Sequence, residues 1–204
     1  MGRSLSCRPI NDRGDEMDFA SLVGERVRLQ PLKLEHAEAL FECSRSPLIW
    51  ENLPLTIHNE TEMRDFVQAA LTARESGESF PYAVYDKKLD RLVGTTRYLR
   101  ISKPNRNLNI GWTWYTPDVW RTMVNTECKY LLLKNAFETW KAVRVELITT
   151  TTHSRSQAAI ERLGAKKEGV LRKKYNGLDY VVYSILDEEW PEAERRLLGM
   201  LQRS

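Results

Sequence analysis

The chain has 204 residues, 42% of them hydrophobic, enough for one α/β domain with a sizeable core, and no repeat period or low-complexity linker divides it. Lys plus Arg number 31 against 28 acidic residues, and a net charge of +3 is too small to argue for nucleic acid as a partner. No apolar run approaches the ~20 residues that cross a bilayer, and Cys7, Cys43 and Cys128 lie far apart without C-x-x-C spacing, so the expectation is no membrane partner, no disulfide framework, no metal site and a cytoplasmic location.

In chain order, MGRSLSCRPINDRGDE (1–16) is polar and unpatterned. It is expected to form a mobile tail, with residues 1–20 set apart from a single domain over 21–204 and Met17 as a rival start. Its match to M-G-x-x-x-S at Gly2 and Ser6 is short and common, and is read as chance. Arg26 to Gln30 alternates and ends at Pro31, the pattern of a first strand. A short helix is expected from Leu34 to Cys43, then a loop, Arg45 to Pro54, that exposes Trp50 and Glu51, then a helix over Asn59 to Arg74. FPYAVYD and LVGTTRYLRI, joined by KKLD, are β-rich and should form an antiparallel meander with NLNIGWTWY, Asn107 to Tyr115.

Beyond Pro117 a long helix opens at about Thr122 to Asn125 and runs through Trp140. Glu127, Lys134, Glu138 and Lys141 are placed on its wet face, while Val124, Cys128, Leu131, Leu132, Leu133, Phe137 and Trp140 form an apolar arc wide enough to lie across a sheet. VELIT then returns as a strand parallel to its predecessor, completing a βαβ unit. Ser154 to Gln157 fits a capping box, Ala158, Ala159, Ile160 and Leu163 give an inward stripe, and Gly164 suits the stop. Ala165 to Lys173 and Leu178 to Leu186 read as a hairpin about Asn176 and Gly177, and a final amphipathic helix follows Pro191.

A helix that starts directly after a strand offers free backbone N–H groups and the positive end of its dipole, a natural seat for phosphate. Arg121 adds a cation there and Thr122 a hydroxyl. The landmarks IGWTW, WRTMVNTE, HSRSQAAIERLGA, EGVLRKK and YSILDEEW follow in one order over roughly residues 22–190. The chain resembles the GNAT-superfamily N-acetyltransferases, nearest to the RimJ/RimL-like branch.

The resemblance implies an α/β (α+β) fold, a mixed, mostly antiparallel twisted sheet of about seven strands with a central parallel pair and about four flanking helices. It implies acetyl-CoA as cofactor and an amine as acceptor, either a protein N-terminus or a small molecule. On that basis coenzyme A is assigned to Trp112, Thr113, Trp114, Arg121, Thr122, Met123, Val124, Asn125, Thr126, His153 and Ser156. The acceptor is assigned to Trp50, Glu51 and Tyr175. The family's pyrophosphate loop, Gln/Arg-x-x-Gly-x-Gly/Ala, is altered here, with Trp120, Met123 and Asn125 at its marked positions. The family's Asn-x-x-Ser becomes His153 and Ser156, and Ile160 stands where many relatives carry a tyrosine.

Acetyl transfer to an amine needs a neutral amine, a polarised carbonyl and a proton for the leaving thiolate. Backbone N–H groups near Trp112 to Trp114, where the resemblance implies that two parallel strands splay, suit the carbonyl; Ser156 suits the proton donor; His153 suits proton acceptance or a pantetheine contact. Glu146, Tyr175 and water are alternative proton handlers. Tyr98 and Tyr115 join the tryptophans as aromatic residues that either line a cleft or fill the core. Strand alternation puts Trp112 and Trp114 on one face and Thr113 and Tyr115 on the other. Two further readings stay open: a non-catalytic protein of this fold that binds CoA or another ligand, and a ribosome- or RNA-associated accessory protein, for which KKEGVLRKK is the only sequence support. A homodimer is compatible with the sequence without being written in it.

Overall fold

The computed structural model describes residues 19–203; residues 1–18 of the expected tail, with the lipidation motif, lie outside them, while Phe19 packs on Phe80 with ring centroids 5.0 Å apart. One sheet is built from β1 (Leu22–Val23), β2 (Val27–Pro31), β3 (Ser79–Asp86), β4 (Arg91–Ser102), β5 (Asn107–Tyr115), β6 (Arg144–Thr150), β7 (Lys166–Tyr175) and β8 (Leu178–Leu186). Its spatial order is β1-β2-β3-β4-β5-β6-β8-β7. Every neighbouring pair is antiparallel except β5–β6. The helices are α1 (Ala37–Cys43), α2 (Glu60–Glu75), α3 (Val124–Lys134), α4 (Ser154–Arg162) and α5 (Trp190–Leu201). The mixed sheet and its parallel pair match expectation. The strands number eight because Leu22–Val23 adds a short edge, and the fifth helix, α5, is held by burying Trp190, Ala193 and Leu197.

The sheet separates two cores. Val27 and Leu29 of β2, Tyr98 of β4, Leu108 and Ile110 of β5 and Val145 and Leu147 of β6 meet Val124, Cys128, Leu132 and Leu133 of α3 and Leu197 of α5. On the other face Leu40, Met63, Val67 and Ala70 of α1 and α2 pack with Trp50 against Ala83 and Trp114. Tyr98, one candidate for a cleft wall, is completely buried and donates its hydroxyl to Leu132 O at 2.6 Å. The hairpin turn forms where the sequence placed it, with Asn176 and Gly177 both at positive φ, 49° and 72°.

Three local expectations are overturned by tertiary contacts. Glu127 does not lie on a wet face: it is 5% exposed, and its carboxylate accepts the N–H groups of Glu25 at 2.5 Å, Arg26 at 3.0 Å and Val27 at 2.8 Å. The turn between β1 and β2 wraps this carboxylate so closely that a Cβ on Gly24 would sit 2.5 Å from its Oε1. The capping box at Ser154 to Gln157 does not form either. His153 is the N-cap without a side-chain bond, and Gln157 reaches past the helix start to donate to Thr151 O at 2.9 Å. Finally, Trp50 is not exposed by its loop. It is 5% exposed, donates Nε1–H to Ser44 O at 3.1 Å and lies 5.5 Å from the Trp114 ring, because burying an indole face against another aromatic outweighs solvating it.

Candidate active site

The parallel strands stay together for three residue pairs only. Asn107, Leu108 and Asn109 pair with Arg144, Val145 and Glu146, after which β5 and β6 part. Both remain bonded on their outer sides, β5 to β4 as far as Tyr115↔Gly94 and β6 to β8 as far as Thr150↔Tyr180. The facing edges of residues 110–115 and 147–150 therefore carry backbone N–H and C=O groups with no strand partner, and groups of that kind need some partner.

A β-bulge shapes this opening. Arg97 pairs with Gly111 and Thr95 with Trp114, so Trp112 and Thr113 together face Thr96. Trp112 adopts φ +49°, a conformation rare outside glycine. The extra residue shifts the alternation: Leu108 and Ile110 face α3, and beyond the bulge Tyr115 does the same, while Trp114 faces α1 and α2. Trp112 lies 6.0 Å from Phe66 of α2, and Thr113 accepts from Lys129 Nζ of α3 at 2.8 Å. Trp112 and Trp114 thus share one face and Thr113 and Tyr115 the other. Lys129 is 6% exposed, and burial pushes its ammonium down to about 8.

Each splayed strand feeds a helix. β5 passes through the tight turn Pro117–Val119 into α3, and β6 reaches α4 after three residues. The two helix starts touch: the Arg155 guanidinium lies 4.1 Å from the centroid of the Trp120 ring. Trp120 is itself held by its Nε1–H donating to Tyr115 O at 2.9 Å. Arg155, between His153 and Ser156 in sequence, is thereby placed against the start of the loop 120–126.

At the start of α3 Arg121 is exposed with φ +62°, so an arginine occupies a left-handed position that glycine would favour. The hydroxyl of Thr122 is used within the loop, donating to Val119 O at 2.7 Å and accepting from Val124 N–H at 3.3 Å. The first bond of the helix runs from Glu127 N–H to Met123 O, and the amides ahead of it lie at the open end of the helix. The Val124 side chain is buried, so only its backbone faces the loop, while Met123, Asn125 and Thr126 are half-buried. No acidic residue occurs from Arg121 to Thr126; of the flanking carboxylates, Asp118 is paired with Arg91 and Glu127 is taken up by the amides of Glu25, Arg26 and Val27. Open amides, a cation and no competing anion fit a diphosphate.

At the α4 start, burial and then the Arg155 charge hold the His153 imidazole below its usual range, so it is neutral at physiological pH. Its Nε2 is buried without a hydrogen-bond partner among the described residues. Ser156 lies half-buried one turn into the helix. Gln157 donates back to the end of β6, and Tyr183 of β8 donates to Gln157 Oε1 at 3.2 Å and Glu161 Oε1 at 3.0 Å, which fixes the helix orientation. Glu146 stands at the fork of the splay. It accepts from Asn109 Nδ2 at 3.2 Å and from Arg144 Nε at 3.0 Å, and Arg144 is also paired with Glu168. Tyr175 has a buried hydroxyl with no bonding partner among the described residues and lies 5.3 Å from the Arg100 guanidinium, so the tip of the β7–β8 hairpin reaches the end of β4.

The Acetyltransferase (GNAT) domain family matches residues 26–166. The chain belongs to this family. It is an acetyl-CoA-dependent N-acetyltransferase, since members of the family move the acetyl group of acetyl-CoA to an amine. The acetyltransferase is 23% identical over 173 residues to the uncharacterized N-acetyltransferase YoaA of Bacillus subtilis (strain 168), across 82% of this chain and 97% of that one. A T. thermophilus structure assigned to the acetyltransferases is 33% identical, with TM-score 0.80, covering 89% of this chain and 96% of that one. A GCN5-related N-acetyltransferase from Brucella melitensis is 25% identical, with TM-score 0.84, covering 91% and 86%. Mycobacterium smegmatis RimJ, solved with CoA-disulfide, shares the fold at 19% identity, with TM-score 0.74, covering 85% and 88%.

Among the residues assigned from sequence, those of β5, the loop 121–126 and the α4 start are gathered about the splay. Trp50 presents no open face, whereas Glu51 is exposed. Sequence reasoning missed Arg97, Lys129 and Arg155. Arg97 and Lys129 are single cations inside otherwise apolar, aromatic or β-branched runs, TTRYL and CKYLLL, and that isolation was the available signal.

Proposed function

We propose that the acetyltransferase domain spans residues 21–204 and acts by direct attack of a primary amine on the thioester within a ternary complex. Acetyl-CoA supplies an activated acyl group whose carbonyl oxygen gains negative charge as the amine adds. The observation that carries this reading is the splay of β5 from β6 with two helix starts locked together at its mouth. It leaves one slot with unpaired amides along its sides and positive dipole ends at its top.

In that slot the loop Arg121–Thr126 holds the diphosphate and the backbone of Trp112–Trp114 receives the pantetheine arm and the developing charge. Ser156 donates the proton that the thiolate needs. His153, kept neutral by burial, contacts pantetheine or takes the amine proton. Glu51 and Tyr175 border the acceptor. The resemblance to the RimJ/RimL-like branch supports a protein N-terminus as one acceptor class beside small amines.

The test measures CoA binding by calorimetry and thiol release from acetyl-CoA with a panel of small amines and peptide N-termini. Binding followed by amine-dependent release is expected. Binding with no release for any amine would favour the non-catalytic alternative.

A further inference from the structure

Arg97 is a charge where a charge is costly. It lies mid-strand in β4, 8% exposed, with its guanidinium between two rings, 5.1 Å from the centroid of Phe66 and 5.1 Å from that of Trp112. Aromatic faces stabilise a cation but accept no ordinary hydrogen bond, and among the described residues the Nε and Nη2 groups have no acceptor. Burial pushes the group down to about 10, so it remains protonated at neutral pH. Native structures seldom leave a buried guanidinium with unmet N–H groups, because each unmet donor has given up its hydrogen bond to water without a replacement.

This side chain lines a cavity of about 320 Å³ bounded also by Ala73, Ser79, Leu99, Arg100 and Trp112, with Glu78 on the exposed rim. Two cations against one solvated carboxylate leave the pocket net positive. Trp112 ties it to the splay, because the same residue carries the bulge of β5. Val145 and Leu147 face the α3 core, so Glu146 between them faces the α2 side, as Arg97 and Trp112 do. A guanidinium without an anion and a carboxylate therefore lie on one face of the sheet, two strands apart, on the order of 10 Å at the fork.

We propose that Arg97 forms an anion subsite for the acceptor, which selects amines that also carry a carboxylate. The carboxylate enters the cavity and docks on the part of the Arg97 guanidinium that lines it beside Trp112, while the amine turns toward the fork of the splay at Glu146. This rests on the acetyl-transfer reading for the fate of the amine, but the binding claim stands apart from turnover.

The test uses calorimetry on the full chain with ω-amino acids from glycine to 6-aminohexanoate and the alkylamines of matching length. A second arm uses peptides whose first residue is Asp or Glu against Asn or Gln, which separates free amino acids from acidic protein N-termini as the source of the carboxylate. Carboxylate-bearing members of either arm are expected to bind at least tenfold tighter than their neutral partners, with the preference lost in Arg97→Met and partly kept in Arg97→Lys. Equal binding of both members of every pair to the wild type overturns the subsite, as does a preference unchanged in Arg97→Met. Should Arg97→Met fail to fold, the wild-type pairs and Arg97→Lys decide. Thiol release separates the two readings. Release with plain amines and no carboxylate preference removes the subsite alone, whereas Arg97-dependent binding without release removes the enzyme reading alone.

Discussion

The guanidinium of Arg155 lies 4.1 Å from the centroid of the Trp120 ring, joining the start of α4 to the loop that precedes α3. The two helix N-termini are consequently one structural unit: displacing either moves a wall of the splay. Arg155→Ala removes both the stacking and a cation beside the diphosphate loop. It is expected to weaken CoA binding about five- to tenfold, in line with an exposed cation–π contact plus one screened charge. Calorimetry at low and high salt checks this, and unchanged affinity at low salt would refute the coupling.

Ser156→Ala should separate chemistry from binding. If the hydroxyl delivers a proton to the leaving sulfur, kcat falls about 10–100-fold while the Kd for CoA stays within twofold. Steady-state rates beside calorimetry give both quantities, and equal rates for the two proteins reject the role.

Glu127 and Gly24 are coupled through contact, since the carboxylate fills the space where a Cβ at position 24 would stand. Glu127→Gln retains the shape, but presents an amide nitrogen to N–H groups that need an acceptor, and is expected to cost about 2 kcal/mol. Gly24→Ala should destabilise by a similar route. Thermal melts should drop by about 4–8 °C for a domain of this size, with no change in the pH profile of any turnover that remains.

Lys129 sets a pH dependence of opposite sign to an ion pair. Burial lowers its folded value to about 8, below its ordinary value of 10.5. Under pH 8 both folded and unfolded chains carry the proton, and the full desolvation cost of about 3 kcal/mol is present. Between pH 8 and 10.5 the unfolded chain holds more protons, so this group makes stability rise with pH. Lys129→Met should raise stability at pH 7 by about 1–3 kcal/mol, after the loss of the bond to Thr113, and remove that rise. Urea denaturation from pH 7 to 10 measures it; a variant less stable than the wild type at pH 7 would show that the bond to Thr113 outweighs the buried charge.

Much of this protein is local in origin. Asn176 and Gly177 tolerate positive φ and so mark the hairpin, Asn59 accepts from Glu62 N–H at 2.9 Å to start α2, and alternation in FPYAVYD and VELIT marks strands that the sheet uses. The order of strand, turn, helix and strand from Asn107 to Thr150 also sets the parallel pair, because a helical crossover returns a strand in the same direction. What the tertiary structure alone decided are the places where polar groups are buried. Glu127 looked wet by helical spacing, yet backbone amides about 100 residues earlier in the chain enclose it. Arg97 looked like one more strand residue, yet Phe66 and Trp112 sandwich it at the wall of a cavity. Helical and strand periodicity records which face a side chain takes. It does not record which distant donors, rings or unpaired strand edges meet that face once the chain has closed, and those partners decide whether a charge is solvated, enclosed or left waiting for a ligand.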